Sequence, residues 1–225
     1  NRDRGPHEER IPFIGIRRKI AERMTVSKRT AAHFTFVEEC EVTELRALRD
    51  RLRPRAEAQG VKLNFLPIIA KAITLALARY PLLNGTLDEA RQEILLRREV
   101  HLGVAVSTQA GLVVPVITHT EKRSILDLAR EIDRLATAAR EGTLRPGELS
   151  GSTFTITSLG QRGGLLATPI INYPEVGIVG VHRMRQRPIV RDNQIVIGEV
   201  MMLSLSFDHR VVDGDVAAAF AYDII

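Results

Sequence analysis

The sequence predicts a domain of the α/β or α+β class, built on a mixed β-sheet with flanking helices. Three observations carry this expectation. Short segments with strand-like alternation of apolar and polar residues recur along the chain, from "HFTFVEECEV" to "EVMMLSLSF". Helical stretches separate the early strands, whereas in the second half strands follow one another through long connections, which argues for a mixed rather than a strictly doubly wound sheet. With 225 residues and 44% hydrophobic side chains, one large domain or two small ones can bury a sizeable core.

Residues 1–10, "NRDRGPHEER", are polar and aperiodic and read as the end of a linker, with the fold starting near Ile11 and running to Ile225. In "IGIRRKIAERMTVSKRTA" the apolar residues Ile16, Ile20 and Met24 recur every four positions. They define a basic amphipathic helix with Arg17, Arg18, Lys19, Arg23, Lys28 and Arg29 around the remaining surface. A membrane surface is one use for such a helix, and covering a core is the commoner one. After the strand "HFTFVEECEV", Thr43 can cap the helix "ELRALRDRLRPRAEAQG", which Pro54 must kink or divide and Gly60 ends. "NFLPIIAKAITLALARYP" is apolar nearly all round and reads as a buried helix.

"HLGVAVST" and "AGLVVPVIT" read as two strands joined by a turn at Gln109–Gly111, with Pro115 placing the second at an edge or bulge. A helix follows, "RSILDLAREIDRLATAAREG", with Ser124 and Asp127 as its capping box and Gly142 as its stop. Then come the strand "STFTITSL", the loop "GQRGGLLATPIINYPE", the strand "VGIVGVHRM" and a hairpin about Asp192-Asn193. In the strand leading to "SFDHRVVDG", Leu203, Leu205 and Phe207 alternate with Ser204, Ser206 and Asp208, the period of a half-buried strand. A final helix starts near Asp215.

No segment reaches the roughly 18 apolar residues of a membrane helix, so no membrane span is expected. The net charge of +5 suits an anionic partner, yet seven Phe, three Tyr and no Trp leave few stacking platforms for nucleic acid, which is not expected as a partner. The six histidines, His7, His33, His101, His119, His182 and His209, form no ligand pair at metal-binding spacing, and no metal is expected. "GQRGG" lacks the order of a phosphate-binding loop. Cys40, the single cysteine, excludes an intrachain disulfide; flanked by glutamates that raise a thiol pKa, it reads as a buried structural residue. His209 sits where a strand ends, rigidly placed yet able to reach a ligand, with a side chain suited to proton transfer. Spacing alone favours a histidine satisfied by its own turn, and reads Thr157 equally as an ordinary strand former.

"FDHRVVDG" resembles the DHRxxDG signature of the dihydrolipoamide acyltransferases, the core components of 2-oxo acid dehydrogenase complexes, whose HxxxDG pattern is shared with chloramphenicol acetyltransferase. "IRRKIAERM", "NFLPIIAKA", "YPLLNG", "GLVVPVI", "GSTFTITSLG" and "TPIINYPEVGIVG" are similar to segments of the same family, in its order. The resemblance implies a chloramphenicol-acetyltransferase-like fold and acyl transfer between the dihydrolipoyl group of a separate lipoyl domain and coenzyme A. It implies His209 as general base, Asp213 as the acidic member of the motif, paired with an arginine, and Thr157 as oxyanion donor where many members have serine. Arg49, Asn64, Ser107 and Ser158 would contact coenzyme A.

By the same resemblance the chain is a piece of a longer protein lacking its C-terminal tail. It would form homotrimers that build a cubic or icosahedral core and work with lipoyl domains, a decarboxylase and a dihydrolipoamide dehydrogenase. It would reside in the bacterial or archaeal cytoplasm, or in a mitochondrial matrix. "TPIINYPEVGIVG" is similar to acetyl- and succinyl-transferring members and "FVEECEVTELRALR" to the branched-chain type, with acetyl slightly preferred. The rival readings are a non-catalytic scaffold of the same fold and a small-molecule O-acetyltransferase using the same HxxxDG site.

Overall fold

A computed structural model describes residues 8–158, 160 and 163–225. Most of the expected linker, His7 and the Gln161-Arg162 part of the "GQRGG" loop lie outside the described residues. The first half of the described chain runs α1 (Gly15–Thr30), β1 (His33–Glu41), α2 (Thr43–Glu57), α3 (Leu66–Arg79), β2 (Gly85–Asp88) and β3 (Glu93–Leu96). β4 (Leu102–Val104), β5 (Val106–Ser107), β6 (Leu112–Val113), β7 (Val116–Ile117) and α4 (Ile125–Glu141) follow. The second half holds β8 (Phe154–Ser158), β9 (Gly177–Val181), β10 (Arg185–Arg191), β11 (Gln194–Asp208) and α5 (Gly214–Ile224).

The principal sheet is mixed, as expected. Its order is β1-β11-β9-β8-β4-β7, with β10 also pairing β11. β8 is parallel to both β9 and β4, and the other pairs are antiparallel. Pro115 lies just before β7, the edge strand, where a missing N–H breaks no interior ladder. Both expected strands around it are split, giving β4 and β7 to the main sheet and β5 and β6 to a separate small hairpin. The β10–β11 hairpin turns at Asp192 and Asn193, both at positive φ, the backbone that a tight two-residue turn requires.

One face of the sheet carries the core. Leu203, Leu205 and Phe207 of β11, Val179 and Val181 of β9, and Phe154 and Ile156 of β8 pack against α3, α4 and α5. α4 begins as the sequence predicts, with Ser124 and Asp127 closing a capping box, and Gly142 ends it in the left-handed conformation. α2 differs in one respect: its N-cap is Val42, because the Thr43 hydroxyl donates to Glu41 instead of capping. Of the two expectations for Pro54, division is excluded, the helix running through it.

The opposite face of β11 departs from the half-buried expectation. Ser204, Ser206 and Asp208 are all buried, Ser204 fully so. They are covered from α1, β1 and the segment 163–176, which is largely without helix or strand. Each polar group has a partner: Ser206 Oγ with Thr35 Oγ1 at 2.9 Å, and Ser204 Oγ with His182 Nε2 at 3.0 Å. Burial lowers the His182 pKa. His33 fastens the covering layer, donating from Nδ1 to Ala31 O at 3.0 Å and accepting the Ile171 N–H at Nε2, also at 3.0 Å.

Glu175 is buried in that layer. Its carboxyl accepts from Ser152 Oγ, from Thr155 Oγ1 at 2.6 Å and from Asn172 Nδ2 at 2.7 Å. Burial raises its pKa and these three donors lower it, leaving it at about 7 against an ordinary 4.5. A raised native pKa means that the folded state binds the proton more tightly than the unfolded chain. Stability therefore falls as pH rises from about 4.5 to about 7 and levels off above that. Glu175→Gln has no such proton to lose, so its melting temperature should gain on the wild type between pH 5 and pH 8. A gap that stays constant across that range would refute the assignment.

Candidate active site

β11 ends at Asp208, and the next residue carries the imidazole. Asp208 N donates to Val176 O and His209 N to Ala32 O, each at 2.9 Å, while Val211 N and Val212 N both return to Asp208 O at 3.0 Å. The chain is thus turned sharply under His209. The ring lies against Phe34 with centroids 4.5 Å apart, and its side chain remains 52% exposed. The histidine is consequently held at its root and open at its tip.

The buried acid of "DHR" organises this turn. Asp208 Oδ1 accepts the N–H groups of Ala32 and Arg210, each at 3.1 Å. Arg210 closes on it with Nε at 3.0 Å from Oδ1 and Nη2 at 2.7 Å from Oδ2. Burial acts to raise the Asp208 pKa, and the hydrogen bonds from Arg210 and Ala32 outweigh it, so the net shift is downward. Arg210 also reaches Glu89 at 2.7 Å, tying in the connection between β2 and β3.

This arrangement corrects the expected pairing of Asp213 with an arginine. Arg210 pairs with Asp208 and Glu89, while Asp213 is 81% exposed and stands 3.9 Å from His209 Nδ1, with no arginine paired to it among the described residues. Asp213 occupies the N-cap position of α5 without a side-chain capping bond. Its place beside the histidine follows from the turn and not from an ion pair. Asp208 is the residue organising this turn that spacing missed; the available signal was an acid and an arginine two positions apart, flanking the histidine.

Thr157 lies at the other end of the sheet. It pairs with Gly180 of β9, which in turn pairs with Ser204 of β11. From Ser204 the strand runs five more positions to His209, about 17 Å at ~3.4 Å per residue, and β8 lies two strands, about 10 Å, to the side. Thr157 and His209 of one chain are therefore roughly 20 Å apart, far beyond the ~3–3.5 Å of reacting groups. A single copy does not bring them together.

The four remaining candidates fall into two pairs. Arg49 on α2 donates to Leu63 O at 3.4 Å and lies over the Phe65 ring at 5.3 Å, and the Asn64 carboxamide accepts the Leu66 N–H at 3.0 Å. Arg46 lies over the same ring at 5.7 Å, a second cation that the sequence reading missed. Ser158 ends β8, its Oγ accepting the Gly160 N–H at 3.2 Å. Exposed Ser107 lies two residues beyond Ala105, whose N donates to Ile156 O of β8 at 2.9 Å, and pairs with Leu112 in the β5–β6 hairpin. Among the described residues no hydrogen bond joins the two pairs. Cys40 is buried and donates to Met201 O at 3.2 Å; burial chiefly, with smaller effects from Glu38 and Glu39, pushes its thiol up to about 11. It is an unreactive core thiol.

The architecture is shared with a solved chloramphenicol acetyltransferase, at a TM-score of 0.54 and 13% identity over 90% of this chain and 92% of that one, a likeness of fold alone. The chain belongs to the 2-oxoacid dehydrogenases acyltransferase (catalytic domain) family, whose model matches residues 5–225. It is 50% identical over 212 residues to the lipoamide acyltransferase component of the branched-chain alpha-keto acid dehydrogenase complex of Pseudomonas putida, covering 94% of this chain and 50% of that protein. It is 44% identical over 210 residues to the dihydrolipoyllysine-residue acetyltransferase component of the Bacillus subtilis pyruvate dehydrogenase complex, covering 93% and 48%. The chain thus spans about half the length of the curated relatives it matches.

Two solved structures match more fully than the fold alone requires. The cubic core of a pyruvate dehydrogenase multienzyme complex superposes with a TM-score of 0.93 at 37% identity, over 97% of this chain and 90% of that one. The Azotobacter vinelandii dihydrolipoamide acetyltransferase, studied for the role of a serine, a histidine and an asparagine in its catalytic mechanism, gives the same score, identity and coverage.

Replacing Asp208 by asparagine leaves Arg210 with Glu89 as its one remaining counter-charge among the described residues. It should cost about 3 kcal/mol in chemical denaturation and lower turnover by freeing the His209 turn. Unchanged stability and rate would show that the turn does not depend on this pair.

Proposed function

We propose that this chain transfers an acyl group between a dihydrolipoyl group, carried on a protein lysine, and coenzyme A, as a catalytic core unit of a 2-oxo acid dehydrogenase complex. The observation that carries this is His209, a half-exposed imidazole on a rigidly held strand end, in a chain that matches the acyltransferase family over nearly its full length. In the Azotobacter protein the serine, histidine and asparagine are separated along the chain as Thr157, His209 and Asp213 are here. Threonine preserves the hydroxyl of serine. The asparagine argues that the position occupied by Asp213 orients the histidine and needs no carboxylate to do so.

The chemistry follows from the groups present. A thiol with a pKa near 8.5 is mostly protonated at neutral pH, so attack on a thioester needs a base at hydrogen-bond distance. Asp213 lies on the Nδ1 side of His209, which leaves Nε2 to take the proton from the coenzyme A sulfur. The sulfur bonds to the carbonyl carbon of the acyl-dihydrolipoyl thioester, and the carbonyl electrons move to oxygen. Thr157 of a second copy donates its hydroxyl to that oxyanion, a contribution of about 3–4 kcal/mol to the barrier. Collapse breaks the bond to the dihydrolipoyl sulfur, which recovers the proton from the imidazolium. No protein nucleophile takes part.

The distance between Thr157 and His209 within one chain supports a site assembled between copies, arranged as a closed trimer within a larger core. Arg49, Asn64, Ser107 and Ser158 would then receive coenzyme A from the β8 end. A purely structural role would not need an exposed imidazole or the Thr157 hydroxyl, and the likeness to chloramphenicol acetyltransferase is too distant to suggest an antibiotic acceptor. Relatives of both the branched-chain and the acetyl type match this chain, so the acyl group is to be read by experiment.

Initial rates with free dihydrolipoamide and acetyl-, isobutyryl- or succinyl-coenzyme A, run side by side, test the reading and identify the acyl group. Transfer of none of the three would overturn it. His209→Ala should lower turnover at least about a hundredfold with the fold intact. Thr157→Ala should cost about 10²–10³ in turnover with little change in the KM for coenzyme A, and Thr157→Ser should restore most of the loss. Near wild-type turnover in either alanine variant would contradict its assigned role.

A further inference from the structure

The basic helix singled out in the sequence remains unused by the chemistry above. α1 carries Arg17, Arg18, Lys19, Arg23, Lys28 and Arg29 against one acid, Glu22. That excess equals the net charge of +5 of the whole chain, so all other residues together balance to zero. The six basic side chains are exposed, and among the described residues only Arg18 has an ion-pair partner, Glu22 at 2.9 Å. A neutral body bearing one uncompensated cationic helix concentrates its electrostatic attraction at a single place.

That place adjoins the catalytic base. Ala31 is the C-cap of α1, and the carbonyl of Ala32, the next residue, accepts the His209 N–H at 2.9 Å. Lys28 and Arg29 lie within about one helical turn, ~5.4 Å, of that cap. Of the coenzyme A candidates, Arg49, Asn64 and Ser158 lie on other segments. Ser107 pairs with Leu112 in the β5–β6 hairpin, whose turn residue Gly111 meets Ile16 and Ile20 of α1, so the test below reads the KM for coenzyme A separately. A bilayer is disfavoured because the apolar stripe faces the protein, with Ile20 packed toward Gly111. Beside the charges, Val26 is 49% exposed, and Met24, Val26 and Tyr173 line a shallow hollow next to Arg23. Apolar and cationic groups side by side fit a protein surface better than a nucleic acid.

We infer that α1 is the docking surface for an acidic protein domain that presents the dihydrolipoyl-lysine to His209. The inference rests on the acyl-transfer reading above and adds to it the recognition of the carrier. Attraction between α1 and the carrier raises the encounter rate and orients the lipoyl arm at the histidine. It does nothing for a free thiol of the same chemistry.

The test compares two substrates in the assembled full-length protein, free dihydrolipoamide and a lipoylated carrier domain of the same complex. The variant Arg17→Gln, Lys28→Gln, Arg29→Gln removes three charges, and Lys28→Glu with Arg29→Glu reverses two. Both should lower kcat/KM for the domain about tenfold or more, while kcat/KM for dihydrolipoamide and the KM for coenzyme A stay at wild-type values and so also certify the fold. Added salt should bring the wild-type rate with the domain down toward that of the variants. Equal effects on both substrates, no effect on either, or a raised KM for coenzyme A would overturn the docking role. So would loss, in these variants, of binding to anionic vesicles or to nucleic acid without loss of rate with the domain. Failure of the wild type to acylate free dihydrolipoamide would instead overturn the acyl-transfer reading, and the docking role with it.

Discussion

The buried Asp208 carboxylate holds the His209 end of the sheet in place. One oxygen gathers the N–H groups of Ala32 and Arg210, and the Arg210 guanidinium spans both. Through these bonds the end of β11 is fixed to the start of β1, and through Arg210 to Glu89 it is fixed to the β2–β3 hairpin. A carboxylate in that position would be costly without its cation, and if the acid is removed the cation keeps only the half-exposed Glu89. His209 inherits its position from this cluster: its backbone is bound to Ala32 and its ring rests on Phe34, while its tip stays in solvent. The same arrangement sets the end of α1 beside it.

The second constraint is the register of the sheet. Pairing of Thr157 with Gly180, and of Gly180 with Ser204, commits the proposed oxyanion donor to the end of the sheet opposite the proposed base. No side-chain rotation changes that separation, because the ladder hydrogen bonds of three strands would have to slip together. Under the proposed mechanism, chemistry that uses both groups is chemistry between copies, and oligomerisation is part of catalysis instead of an addition to it.

Much of the frame was legible because its signals are local. Ser124, Asp127 and Gly142 bound α4 by capping chemistry, Asp192-Asn193 turns the hairpin, and Pro115 marks an edge. What escaped was decided by distant neighbours. Ser204, Ser206 and Asp208 alternate like solvent-facing residues, yet the covering segment 163–176 and α1 bury them and supply partners. Thr43 looks like a cap, but Glu41 claims its hydroxyl. Glu175 is one acid in an unremarkable turn until Ser152, Thr155 and Asn172 close around it. The place of His209 at a strand end was legible from the alternation of β11, whereas the arginine's partner needed the side-chain contacts and the distance to Thr157 needed the register.

The central claim is that each active site takes its base from one copy and its oxyanion donor from another. Its most direct test is to co-assemble His209→Ala and Thr157→Ala chains in equal amounts and measure acyl transfer against the two separate variants. If the sites are shared, random mixing pairs an intact His209 with an intact Thr157 at about a quarter of the interfaces, and about a quarter of wild-type activity should return. A mixture no more active than either parent, in assemblies shown by mass to contain both chains, would contradict the account.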